Sequence, residues 1–85
     1  MSSSLPPICE EAKADLAKAK LETASRLKEL DDAERKLHEL EVAQPPDTVA
    51  IEAQKAKVDQ ARANWLAAKK KQKELQEVAD DLCNP

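Results

Sequence analysis

From Ile8 to Ala43, one set of positions recurs at alternating intervals of three and four residues: Cys9, Ala12, Leu16, Ala19, Thr23, Arg26, Leu30, Ala33, Leu37 and Leu40. That alternation keeps a single stripe turned toward a partner helix, the pattern of a coiled coil. Only Thr23 and Arg26 interrupt it, and Leu27 lies beside them. A second series follows the same rule: Ile51, Gln54, Val58, Ala61, Trp65, Ala68, Gln72, Leu75, Ala79 and Leu82. Each series predicts a helix of about 36 residues, roughly 54 Å long at about 1.5 Å per residue.

Between the series stands Gln44-Pro45-Pro46-Asp47, the one helix-breaking stretch in the middle of a chain that contains no glycine. A proline disfavours helical geometry in the residue before it, so two in succession end the first helix near Ala43. Asp47 or Thr48 can then cap the second by accepting from its free N–H groups. The first helix can begin at Pro7, where the missing N–H costs nothing. Glu10 and Glu11 follow, near the positive end of the helix dipole. The expected organisation is a single domain over residues 1–85. Residues 1–6 form a flexible lead, 7–43 the first helix, 44–47 the turn, 48–83 the second helix and 84–85 a tail.

So short a turn makes the helices antiparallel neighbours. Folding symmetrically about the Pro45–Pro46 bond sets Leu40 against Ile51, Ala33 against Val58, Leu30 against Ala61, Leu16 against Leu75 and Ala12 against Ala79. The weaker layers are Leu37 with Gln54, Arg26 with Trp65, and Ala19 with Gln72. Flanking charges largely follow the same register. Asp15, Glu22 and Glu29 oppose Lys57 and Lys71, while Glu34 and Glu41 lie near Arg62 and Lys55. Lys36 near Lys57, and Lys20 near Lys69, do not fit. The fold expected is all-α, an antiparallel coiled-coil-like helical hairpin.

Small apolar residues also lie off the seam: Ala14, Ala17, Leu21 and Ala24 on the first helix, and Ala53, Ala56, Ala63, Leu66 and Ala67 on the second. A hairpin needs one stripe per helix, and bundle helices carry a wider one. These residues form a candidate interaction stripe, the expected contact for dimerisation into a four-helix bundle. The competing account is that alanine is simply the best helix former.

Composition sharpens this. Hydrophobic residues make up 41% and charged residues 36% of the 85, with Trp65 the one aromatic. A hairpin so poor in large side chains buries little surface alone, which points to a partner. The net charge of −3, from 14 basic and 17 acidic residues, argues against nucleic acid, whose proteins usually present a basic surface. No apolar run reaches the length of a membrane span. Met-Ser-Ser-Ser-Leu-Pro-Pro has no apolar signal core, so a soluble, cytoplasmic chain is the default expectation.

Cys9 and Cys83 fall together at the open end of the hairpin. A disulfide there would close a loop of about 75 residues, for which the chain-entropy model gives about 4–5 kcal/mol as an upper figure. It would favour an oxidising compartment; in a reducing one the same residues serve as small seam thiols. Neither spacing nor a nearby His points to redox or metal chemistry.

Trp65 reads as the large core residue, packed on Leu27, Leu30 and the alkyl stem of Arg26, with a cation–π contact available. Lys69, Lys70, Lys71 and Lys73 are the basic cluster, a weak candidate for phosphate contact, but on a helix they point several ways. His38 lies between Glu34 and Glu41 with no second His or Cys, which fits surface pairing better than zinc. No two carboxylates sit in a setting that would shift their pKa values, so no catalytic residue and no cofactor is expected.

The function expected is that of a non-enzymatic structural or protein–protein interaction module acting as a homodimer or against a helical protein partner. Neither a small-molecule substrate nor a nucleic acid is expected. Three other readings share the architecture. One is a dimeric four-helix bundle of the kind that binds paired RNA loops, on fold analogy alone. Another is a small inhibitor or accessory protein from a phage or mobile element. The third is a hairpin arm belonging to a larger protein, since both ends emerge together.

Overall fold

The computed structural model describes residues 7–84; the expected flexible lead at 1–6 and Pro85 lie outside them. Two helices, α1 (Pro7–Val42) and α2 (Thr48–Cys83), make up the described fold. They pack along their whole length, in a body of 71 × 16 × 13 Å. It is therefore nowhere more than two helices thick.

The turn forms where the prolines demand it. α1 ends at Val42, one residue before the expected limit, and Ala43–Pro45 bend away. The Gln44–Pro45 peptide is cis. Asp47 has extended backbone geometry, and its carboxylate accepts from the Ala50 N–H at 3.0 Å. Its carbonyl accepts the first helical bond, from Ile51 N–H at 2.9 Å. Asp47 is thus the cap and Thr48 the first helical residue. At the far end the Asn84 N–H donates to Asp80, closing the last turn of α2.

Burial follows the heptad series closely. Along α1 every described residue that is buried or half-buried belongs to the predicted seam. Along α2 the whole seam is covered too, joined only by Ala50, Asn64 and Cys83. The most closed layers lie near the open end, where Ala12, Leu16 and Ala79 pack with Leu75 and Leu82. Ala12 opposite Ala79 lets the backbones approach there, and Leu16 with Leu75 fills the next layer. Leu30 and Val58 are the covered aliphatics of the turn half.

The polar seam positions are accommodated individually. Gln54, 7% exposed, reaches across the hairpin and donates to the Ala33 carbonyl at 2.9 Å. Thr23 donates back to the Ala19 carbonyl of its own helix at 2.9 Å. Such bonds matter because a buried polar group without a partner costs about 1–3 kcal/mol. Among the described residues no buried side-chain nitrogen or oxygen is left without one.

Candidate interaction surfaces

Three features of this rod could meet another molecule: its cysteine-bearing end, its two flanks and its outer faces. At the end, Cys9 is fully buried, and its sulfur stands at disulfide distance from that of Cys83, with Cα atoms 5.1 Å apart. The helices bring the pair together because both residues fall in the last layer of the antiparallel register. The opposite end is the exposed Pro45–Pro46 turn.

The flanks are set by the seam phase. One carries Asp15, Lys18 and Glu22 of α1 beside Asn64, Ala67 and Lys71 of α2, around a shallow concavity of about 690 Å³ floored by Ala19, Ala68 and Leu75. The other carries Lys13 and Lys20 beside Gln76 and Asp80, near Leu16 and Ala79. Arg62 of α2 meets Glu34 of α1 on this Lys20 flank at 3.6 Å, the one ion pair joining the helices among the described residues.

The remaining charge pairing is local. Arg26 forks between Glu22 at 2.8 Å and Glu29 at 3.0 Å. These neighbours, the Glu22 hydrogen bond foremost, raise its pKa above the ordinary value. Lys55 pairs with Glu52, Arg35 with Asp32, and Arg62 also with Asp59. The expected Lys55–Glu41 pairing therefore gives way to a partner on the same helix. Long exposed side chains take the partner one turn away, because reaching across costs rotamer freedom for little return.

Trp65 is half-buried on the seam, but its cation is Lys69, 4.4 Å from the ring centroid and one turn along α2. Arg26 is occupied by its two glutamates instead. The rest of the lysine cluster disperses: Lys71 faces the Asp15 flank, and Lys70 and Lys73 are exposed. The sequence signal for the Lys69 contact was its spacing of four from Trp65. For the Gln54 bond the sequence offered only an amide on the seam opposite Leu37, with nothing to single out the Ala33 carbonyl.

All nine residues of the candidate stripe are exposed. By helical phase Ala14, Leu21, Ala56 and Ala63 point away from the neighbouring helix. Ala53 and Ala67 lie toward the Asp15 flank, and Ala17, Ala24 and Leu66 toward the Lys20 flank. Leu21 is 72% exposed and Leu66 51%. Ile8, Leu27, Val42, Val49 and Val78 are exposed as well.

Among the described residues no three of His, Cys, Asp and Glu cluster as a metal site, and no helix is long and apolar enough to cross a membrane. Comparison with protein-family models, curated proteins and solved structures finds no match to this chain.

Proposed function

We propose that this protein is a non-enzymatic interaction module that works by self-association, two hairpins joining as an antiparallel four-helix bundle. The observation that carries the reading is the apolar surface left over once the seam is closed. Leu21, Val49 and Leu66 remain at least half exposed, and Leu27 and Val78 somewhat less. A rod two helices thick offers these side chains no cover of its own. Apolar area removed from water yields about 25 cal/mol per Å², so a second hairpin is the natural source of cover for those that share a flank, Leu27 and Leu66.

Sedimentation equilibrium across a wide concentration range tests it. The expected result is a reversible monomer–dimer equilibrium, with a melting temperature that rises with concentration. A monomer at every concentration would sink the reading.

A further inference from the structure

From charge and exposure along one flank, we infer that the Lys20 flank is the self-association surface, and that two copies meet there end for end. This rests on the self-association reading above and specifies its face and orientation.

The argument begins with residues seven apart, which share one face of a coiled-coil helix. On α1 the Lys20 flank presents Lys13, Lys20, Leu27, Glu34 and Glu41. The two cations precede a leucine and the two anions follow it, at matching distances. All five side chains are exposed. On α2 the same flank presents Asp59, Leu66 and Lys73, again an acid and a base equidistant from an exposed leucine. The two leucines are level, because Leu27 and Leu66 adjoin the Arg26–Trp65 layer at mid-hairpin. Leu27 is 39% exposed and Leu66 51%.

A two-fold axis through that level, across the rod, turns the flank onto itself. α1 then lies antiparallel on α1 of the second copy, with Leu27 on Leu27. Lys20 meets Glu34 and Lys13 meets Glu41 of the second copy, each contact made twice by symmetry. On α2, Leu66 meets Leu66 and Lys73 meets Asp59. Glu34 is shared with its own Arg62.

Two contacts oppose the arrangement. Arg62 approaches Lys69 of the second copy, but Arg62 already lies between Glu34 and Asp59, and Lys69 lies over Trp65. Asp80 faces Glu52 at the exposed ends. The other flank fits the same operation less well. There the same rows set Asp15 against Lys36 and Lys18 against Asp32, but also Glu22 against Glu29, Glu11 against Glu39 and, on α2, Lys57 against Lys71, so like charges meet more often than opposite ones. Charge pattern thus favours one flank and one orientation, the role flanking charges play in helix pairing.

The test is a pair of complementary variants of the full chain. Lys13→Glu/Lys20→Glu makes the α1 row wholly acidic, and Glu34→Lys/Glu41→Lys makes it wholly basic. Each alone is expected to self-associate on the order of ten-fold or more weakly than wild type, and their equimolar mixture to form a heterodimer that high salt weakens. Far-UV circular dichroism checks that both remain helical. Because Glu34→Lys removes a partner of Arg62, Glu41→Lys alone and Lys73→Glu, which leave Glu34 and Asp59 in place, repeat the test. If both variants of each pair dimerise as tightly as wild type, the flank is wrong and self-association stands. If wild type itself is monomeric up to about 1 mM, self-association falls and this inference with it.

Discussion

The side-chain amide of Gln54 donates to the carbonyl of Ala33 across the hairpin, among the described residues the one side-chain hydrogen bond between α1 and α2 in the turn half of the rod. The Ala33 carbonyl lies inside α1, so it also serves the helix ladder and does not depend on Gln54. Replacing the amide by an apolar group of similar size should therefore cost little. Gln54→Leu is expected to leave unfolding stability within about 1 kcal/mol of wild type, or to raise it. Gln54→Glu puts an acceptor where only a donor fits, and should lose about 1–3 kcal/mol. Urea denaturation of the two variants decides; equal losses would dissociate this bond from the register.

The Cys9–Cys83 pair closes the open end, where Ala12, Leu16 and Ala79 are packed. With the two sulfurs bonded, reduction is expected to lower stability by about 2–5 kcal/mol. The readout is the thermal midpoint with and without reductant, with Cys83→Ser as the matching variant. A midpoint indifferent to reductant would mean that the thiols act only as small seam residues.

Leu16 and Leu21 are five residues apart and differ in surroundings. Leu16 is 7% exposed and Leu21 72%. Leu16→Ala opens a gap against Leu75 and Ala79, and is expected to cost about 2–4 kcal/mol. Leu21→Ala should change the stability of the hairpin itself by less than about 0.5 kcal/mol. Denaturant midpoints taken at low protein concentration separate the two; comparable losses would place Leu21 in a covered position.

Asp47 holds the first turn of α2 through the Ala50 N–H. Asp47→Ala should destabilise by about 1 kcal/mol, and Asp47→Ser should recover most of it, because a hydroxyl can accept the same bond. Chemical denaturation of the two variants provides the comparison. No difference between them would show that the prolines alone set the turn.

Much of this architecture was readable from residue spacing because a two-helix rod has only one inside. Once the intervals of three and four assign Cys9 through Leu40 to one stripe, burial of the opposite stripe follows from the fold-back point at Pro45–Pro46. The side-chain pairings were less legible. Spacing places Glu41 near Lys55, yet Lys55 takes Glu52. It places Arg26 against Trp65, yet Arg26 takes Glu22 and Glu29, and Trp65 receives Lys69. Long side chains choose among partners within reach by small differences that a register does not encode. The Gln54 bond escaped for another reason: its acceptor is backbone, and every residue offers the same carbonyl. The off-seam alanines were legible as surplus apolar surface, but their division between outer faces and flanks needed the assembled hairpin.

The position of the cysteine pair also has a mechanical consequence. α1 begins and α2 ends at the same end of the rod, so tension applied there would peel α1 from α2 one layer at a time, starting at Cys9 and Leu82. A zipper geometry of that kind resists weakly, because each layer yields before the next is loaded. A covalent link across the first layer changes the load path. Force then runs from Cys9 directly into Cys83 and out again, and the residues between them, helices and turn alike, carry none of it. Pulled in its oxidised form, the hairpin would behave as a fixed tether point; reduced, it would act as an extensible spring.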